Sequence, residues 1–214
     1  VAEETVEEAA EEAVAEETIS KMKGLYRHRI DKEKITRDCN GTPMAPGREI
    51  ANKTIGVIGL GAIGQRTAKL ARAFGCKIIA WNRTPKEIEG ITIVDKETLF
   101  KEADIITLHI SLNDDTRDFI TDKEIALMKS SAIIINAARG PIINAQDLAD
   151  ALKENRIAGA ALDVYDIEPP LNKTNPLLNA PNTILLPHIG FATKEAFELR
   201  LGIVVKNVEN FCNQ

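Results

Sequence analysis

The stretch KTIGVIGLGAIGQRTAKLARAFG, residues 53–75, decides the fold of this chain. It begins with the β-branched run TIGVI, which is typical of a strand buried on both faces. The glycine-rich segment GLGAIG follows at 59–64, and helical spacing continues from there to residue 75. A strand, a glycine-rich turn and a helix in this order predict the first unit of a parallel α/β sheet.

Six further short apolar runs follow, and helical stretches separate most of them. The runs are CKIIAW (76–81), ITIV (91–94), DIITLHI (104–110), AIIINAA (132–138), GAALDV (159–164) and TILLP (183–187). The helical stretches are KETLFKEA (96–103), DKEIALMK (122–129) and AQDLADALKEN (145–155). Because apolar runs without alternation suit strands covered on both faces, the pattern predicts an α/β fold with a doubly wound parallel sheet.

The N-terminal segment differs from the rest of the chain in charge. Residues 1–20 hold eight glutamates and no basic residue, whereas residues 21–214 sum to +3 within a formal total of −5. Glutamate pairs recur about every four residues, opposite alanine and valine. This spacing predicts a long acidic helix over residues 1–30, with its glutamates on a solvated face.

The chain divides into two parts at the segment between this helix and the first strand. Glycines and prolines within residues 31–52 predict a loop; they are Gly41, Pro43, Pro46 and Gly47. We therefore expect an N-terminal helix and loop at residues 1–46 and the α/β domain at residues 47–214.

The bulk composition limits the classes of function. The chain is 44% hydrophobic and 28% charged, which is typical of a globular protein. It has no apolar run of membrane-spanning length, no signal-peptide pattern and no basic cluster for nucleic acid. Three sparse cysteines without a C-x-x-C motif predict neither a disulfide framework nor a metal site. We expect a cytoplasmic protein that binds no metal, membrane or nucleic acid.

The glycine-rich turn predicts a dinucleotide site, because it stands between a buried strand and a helix. Gly59 allows the tight turn, Gly61 lets the backbone approach a pyrophosphate, and Gly64 lets helix and strand pack closely. The backbone N–H groups of Ala62 and Ile63 then point at the anion from the helix N-terminus.

The end of the second predicted strand, AWNRTP, bears on the choice of cofactor. NAD-binding domains commonly carry a carboxylate there for the adenosine ribose, but this chain has Asn82, Arg83 and Thr84. A guanidinium pairs with a 2′-phosphate, which a carboxylate would repel. The residues favour NADP, although Asn82 can also bind a ribose hydroxyl and leave NAD as the alternative.

Three more segments complete a pattern that belongs to a known family. They are NAARGPIIN (136–144), LDVYDIEPP (162–170) and LPHIGFATKEA (186–196). Together with GLGAIG, they resemble the D-isomer-specific 2-hydroxyacid dehydrogenases, from about residue 47 to the C-terminus. The resemblance implies a Rossmann NAD(P)-binding domain and an oxidoreductase that interconverts 2-keto acids and D-2-hydroxy acids.

The resemblance also implies three catalytic residues. Arg139 matches the arginine that binds the substrate carboxylate and polarises the keto oxygen, for which a planar guanidinium is suited. His188 matches the acid/base that exchanges a proton with the C2 oxygen. Glu168 matches the carboxylate paired with that histidine, and a neighbouring carboxylate stabilises an imidazolium.

Further cofactor contacts are implied at the ends of later strands. They are His109, Ser111, Thr116, Ala137, Ala138, Asp163 and Gly190. Asp163 and the backbone of Ala137 and Ala138 would meet the nicotinamide carboxamide, and Gly190 would permit close approach to the ring. Ser111 stands where the family commonly has proline, which loosens that loop.

The resemblance also bears on domain organisation. The family's substrate-binding domain has no counterpart here, and VAEETV at residue 1 matches the start of the helix that leads into the cofactor domain. That helix is mostly apolar in relatives, because it packs on the companion domain and across a dimer interface. We expect an isolated cofactor domain whose acidic helix was redesigned to keep it monomeric; the alternative is a natural sequence whose acidic helix contacts another partner.

Three functions therefore stay open at the level of sequence. The first is an oxidoreductase that reduces 2-keto acids with NADPH or NADH. The second is a domain that binds dinucleotide with little or no turnover. The third is a cofactor-sensing interaction protein of the corepressor type. Turnover separates the first from the second, and a ligand-dependent partner would indicate the third.

Overall fold

The computed structural model of this protein describes residues 10–41, 46–84, 86–168 and 171–212. The part of the expected N-terminal helix that covers residues 1–9 lies outside these ranges. The described ranges include the remainder of that helix, the glycine-rich turn and Arg139, Glu168 and His188, whereas Pro43 of the expected loop and residues 169–170 of LDVYDIEPP lie outside them.

Seven strands form one sheet. They are β1 (Thr54–Ile58), β2 (Lys77–Trp81), β3 (Thr92–Ile93), β4 (Ile105–Leu108), β5 (Ile133–Asn136), β6 (Gly159–Leu162) and β7 (Thr183–Leu185). Their order is β3-β2-β1-β4-β5-β6-β7, and every pairing is parallel. The winding direction reverses between β1 and β4, so the carboxyl ends of these two strands flank a crevice. The predicted doubly wound parallel sheet is confirmed.

Helices cover both faces of the sheet. They are α1 (Glu11–Tyr26), α2 (Arg29–Arg37), α3 (Ala62–Ala73), α4 (Lys96–Glu102), α5 (Asp122–Ile125), α6 (Ala145–Lys153) and α7 (Lys194–Cys212). Short 3₁₀ segments add Gly140–Ile142 and Pro176–Asn179. The loop expected over residues 31–52 was wrong at its start, because α2 occupies part of it. α2 buries no residue, so it has no apolar stripe by which its sequence could have been recognised.

Each face of the sheet carries its own hydrophobic cluster. Ile106 and Ile134 point to the face covered by α4 and α6, where Leu99 and Phe100 pack. Ile105 and its neighbours point to the opposite face, which α1 and α3 cover. Successive side chains of a strand alternate between faces, so strands covered twice must be apolar throughout.

Helix α1 is part of the core. It packs on α3 and on strands β5, β6 and β7, and it buries Val14, Ile19 and Met22. Its glutamates Glu12 and Glu16 lie on the exposed side, as the amphipathic pattern predicted. Arg66 of α3 pairs with Glu12 at 3.0 Å and also with the neighbouring glutamate of α1.

Helix α7 contrasts with α1, because almost all of it is exposed. Ala196 is its one buried residue among those described, and Leu201, Val208 and Phe211 stand in solvent. Its first turns, however, border the site described below. Within the described parts of the chain, no helix combines the length and apolarity needed to cross a bilayer. Those same parts hold no group of three or more side chains arranged to bind a metal ion.

Candidate functional site

The turn between β1 and α3 is built for close backbone approach. Gly59 has φ +97°, in the left-handed region that glycine tolerates. A Cβ at Gly64 would overlap the carbonyl oxygen of Gly59, so helix and turn are in contact. A Cβ at Gly61 would meet open space instead. The backbone of Gly61 and the first N–H groups of α3, including those of Ala62 and Ile63, are therefore accessible to an anionic ligand.

A first cleft of about 280 Å³ lies at the carboxyl ends of β1, β2 and β4. Gly59, Gly61, Asn82, Arg83, Thr84, His109, Ser111 and Thr116 all line it. The Asn82 amide is committed to the backbone: Oδ1 accepts from Leu60 N at 3.0 Å and Nδ2 donates to Thr84 O at 2.6 Å. Asn82 thus ties the end of β2 to the glycine-rich turn, and Arg83 is the cationic group in the wall.

A second cleft of about 600 Å³ adjoins the first, since His109, Ile110 and Ser111 line both. Its other walls come from the ends of β5, β6 and β7 and from the first turns of α7. Ile63, Ala137, Ala138, Arg139, Asp163, His188, Gly190, Phe191 and Arg200 contribute to it. The two clefts lie side by side along the carboxyl edge of the sheet, and together they are called the channel below.

His188 lines the second cleft, and its ring is in hydrogen-bond contact with Glu168. Nδ1 of His188 lies 2.5 Å from Oε2 of Glu168, and the other carboxylate oxygen accepts from the backbone N–H of Tyr165. The His188 backbone has φ +58°, an unusual conformation for a residue with a side chain. Because Nδ1 is held by Glu168, Nε2 is the nitrogen left to act on a ligand.

Arg139 follows β5, and a buried asparagine shapes its turn. Nδ2 of Asn136 donates to Arg139 O at 2.9 Å, and its Oδ1 accepts from Ala138 N at 3.0 Å. The Arg139 side chain is exposed, with one hydrogen bond of 2.7 Å to Ala138 O. Most of its donors therefore remain available to a ligand in the cleft.

Asp163 lines the cleft, but its carboxylate is engaged with the protein. Its oxygens accept from Ile189 N at 3.0 Å and from Gly190 N at 2.6 Å. The ammonium of Lys21 lies 3.9 Å away, and Glu17 approaches that ammonium at 3.1 Å. Asp163 thus fixes the loop that carries His188, besides bordering the position expected for the nicotinamide.

The wall between the two clefts is neutral. Burial lowers the pKa of His109 from 6.5 to about 4, and its Nε2 lies 3.0 Å from Oγ1 of Thr107. Thr116 donates to Ser111 O at 2.7 Å, so its hydroxyl closes its own turn. Ser111, in the position where proline was expected, is exposed.

Several residues of the site were not anticipated from sequence. Asn136 and Lys21 contact site residues from outside the cleft: Asn136 donates to Arg139 O, and Lys21 lies near Asp163. Phe191 and Arg200 line the cleft itself. The position of Asn136 at the end of a buried strand was a usable signal. Lys21 and Arg200 belong to helices whose sequences showed nothing beyond ordinary surface charge.

A parallel sheet with a glycine turn at its switch point, and a channel along the strand ends, defines a dinucleotide-binding Rossmann domain. The model of the D-isomer specific 2-hydroxyacid dehydrogenase, NAD binding domain, matches residues 13–190, and the chain belongs to this family. The match begins at residue 13, just before a second VAEET at 14–18. The matched range therefore includes α1 from residue 13 onward.

Individual relatives agree with this assignment. A provisionally named 2-hydroxyacid dehydrogenase of Staphylococcus aureus is 40% identical over 204 residues, which are 92% of this chain and 64% of the relative. The glyoxylate reductase of Thermococcus litoralis is 46% identical over 172 residues, covering 78% of this chain and 51% of that protein. The chain thus spans about two thirds or less of the curated relatives it matches.

A solved structure extends the similarity to three dimensions. The acyclic imino acid reductase Bsp5, in complex with NADPH and D-Arg, superposes with a TM-score of 0.89 at 36% identity. The similarity covers 96% of this chain and 66% of that one.

Proposed function

We propose that this protein is an NAD(P)-dependent oxidoreductase that reduces 2-keto acids to D-2-hydroxy acids. The observation that carries the proposal is the 2.5 Å contact between Nδ1 of His188 and Oε2 of Glu168, with His188 in the same cleft as Arg139. An acid/base group and a carboxylate-binding group beside a dinucleotide channel are the parts that such a reduction requires.

The residues present fit a dinucleotide. The open space at Gly61 and the N-terminus of α3 suit a pyrophosphate, and the adjoining second cleft is lined by Asp163 and Gly190. When bound, the nicotinamide supplies the hydride that adds to C2 of the keto acid. The protein contributes the position of the substrate and the proton.

His188 would supply that proton. Glu168 holds Nδ1 and stabilises the imidazolium, so Nε2 carries the proton that passes to the C2 oxygen as the alkoxide forms. The imidazole left behind regains a proton from solvent. Arg139 would hold the substrate carboxylate with its free donors, since a planar guanidinium binds both carboxylate oxygens in a defined orientation.

The finer preference we propose is for NADPH. The side-chain amide of Asn82 is hydrogen-bonded to backbone groups, and Arg83 presents an exposed guanidinium in the wall of the first cleft. Asp115 also lines this cleft, but no carboxylate occupies positions 82–84, where NAD-binding domains commonly have one. The arrangement favours a 2′-phosphate over a bare ribose hydroxyl.

We also propose that the chain is a monomer. Glu12 and Glu16 lie on the exposed side of α1, where an identical helix would meet them with the same charge. The exposed apolar residues of α7 form a separate surface, and the charges of α1 do not oppose self-association there. Sedimentation velocity at low micromolar concentration tests the proposal, and a persistent dimer would contradict it.

The test of the catalytic proposal is consumption of NADPH and NADH with glyoxylate, hydroxypyruvate and pyruvate. We expect turnover with at least one acid, and its loss in His188→Ala and Arg139→Gln with cofactor binding retained. His28→Asn is a matched control, because His28 is exposed on the turn between α1 and α2. Cofactor binding without turnover in the unmodified protein would instead support a dinucleotide-binding domain.

A further inference from the structure

We propose that Arg200 binds a second carboxylate of the substrate, so that the protein acts on 2-keto acids with a carboxylate at each end. This inference rests on the proposed function, because Arg139 is assigned there to the carboxylate next to the keto group. Arg200 then acts as a specificity residue at the far end of the same substrate.

The position of Arg200 supports this role. It is half-buried on α7 and lines the cleft that also contains Arg139 and His188. Its guanidinium carbon lies 5.3 Å from the ring centroid of Phe191. That ring meets the His188 ring edge to face, with centroids 5.9 Å apart. Arg200 is therefore held on the His188 side of the cleft, one aromatic ring away from the proton donor.

The charge of the cleft points in the same direction. Among the described residues, no carboxylate pairs with Arg200; the ion pair of α7 joins Lys194 and Glu198 at 3.6 Å. The acidic residue in the cleft wall is Asp163, whose oxygens are taken by backbone N–H groups and approached by Lys21. The cleft thus presents two guanidinium groups and no unengaged carboxylate within the part of the chain described.

A dianionic substrate would satisfy both guanidinium groups. A monocarboxylic acid would pair with Arg139 and place an apolar end beside Arg200, which would lose water without gaining a partner. A charge-assisted hydrogen bond to a second carboxylate removes that cost. The cleft should therefore separate acids of equal length by the group at their far end.

The alternative is a purely structural Arg200, which stabilises the start of α7 by stacking on Phe191. Such a residue would alter the stability of the fold but not the relative affinities of two substrates. The ratio of two affinities is accordingly the quantity to measure.

The experiment is calorimetric titration of the protein, saturated with NADP⁺ or NAD⁺, with 2-oxoglutarate and with 2-oxopentanoate. These acids have the same chain length and differ in the terminal group. We expect 2-oxoglutarate to bind about tenfold more tightly, as one screened charge-assisted contact implies. Arg200→Gln should bring the ratio to about one, and Lys206→Gln, which alters an exposed charge of α7 outside the cleft, should leave it unchanged.

The outcomes separate this inference from the proposed function. Equal affinities in the unmodified protein, or an unchanged ratio in Arg200→Gln, would overturn the role of Arg200 alone, provided that Arg139→Gln still weakens both acids. Failure of both acids to bind, or binding that ignores Arg139→Gln, would overturn the proposed function and this inference with it.

Discussion

The ammonium of Lys21 lies 3.9 Å from the carboxylate of Asp163, and both side chains are at most 2% exposed. Lys21 belongs to the acidic helix α1, whereas Asp163 follows β6 and holds the loop that carries His188. A buried cation on the N-terminal helix thus supports the carboxylate that positions the proton donor. The N-terminal helix is therefore joined electrostatically to the site as well as packed on the sheet.

Replacement of Lys21 should be strongly destabilising. Lys21→Met leaves Asp163 buried without its cation, which typically costs about 3–5 kcal/mol. The measurement is the free energy of unfolding in urea, with Lys23→Met as control, because Lys23 is exposed on the same helix. In an Asp163→Asn background the same replacement should cost less; an equal cost would mean that the two charges do not interact.

Stability should fall as the pH decreases from 6.5 to 4, partly because of His109. Its pKa is lowered to about 4 in the folded protein, so the unfolded chain takes up a proton in this window and the folded protein does not. His109 does not lower the free energy of unfolding above pH 6.5, where it is neutral in both states. Below pH 6.5 the free energy of unfolding falls progressively, by roughly 2–3 kcal/mol from this residue. Urea unfolding at pH 7.5 and 4.5 should show a smaller difference in His109→Gln than in the unmodified protein.

Gly61 and Gly64 should respond differently to alanine. Gly61→Ala adds a methyl group in open space at φ −68°, so the fold should tolerate it, but the methyl stands in the first cleft. We expect an unchanged melting temperature and at least roughly tenfold weaker cofactor binding. Gly64→Ala should instead lower the melting temperature, because its Cβ overlaps Gly59 O. If Gly61→Ala bound the cofactor as tightly as the unmodified protein, the assignment of the pyrophosphate to this turn would be wrong.

Arg83→Asp should reverse the cofactor preference. It replaces the guanidinium of the first cleft with a group that repels a 2′-phosphate and accepts from a ribose hydroxyl. The ratio of NADPH to NADH affinity should fall at least about tenfold, measured by fluorescence titration. Lys86→Asp makes the same charge change three residues away and outside the cleft lining. If both variants shift the ratio equally, the effect is one of net charge.

Much of the fold could be predicted from local patterns. All seven apolar runs contain strands, and the buried runs such as β4 and β5 were recognisable because uninterrupted apolar residues suit a strand covered on both faces. The helix α2 could not be predicted in this way, since most of its residues are charged and none is buried in a core. The acidic helix was predicted as a helix, but the extent to which α1 is buried depends on what packs against its apolar side.

The candidate site divides along the same line. The motifs around Arg139, Glu168 and His188 suggested their roles, and the structure places Arg139 and His188 in one cleft and joins Glu168 to His188. The engagement of Asn82 and Asp163 with backbone groups could not be read from sequence. Such contacts join segments that are far apart along the chain, and residue type alone does not specify them.

The sequence by itself determined the strands, the glycine turn and the family, because each depends on residues within a few positions of one another. Only the tertiary structure decided which side chains share a cleft. Glu168 and His188 are twenty residues apart in the sequence. Lys21 lies on α1, before the first strand, whereas Asp163 follows β6. Parallel strands carry their carboxyl ends to one edge, and it is this geometry that brings distant charges into contact.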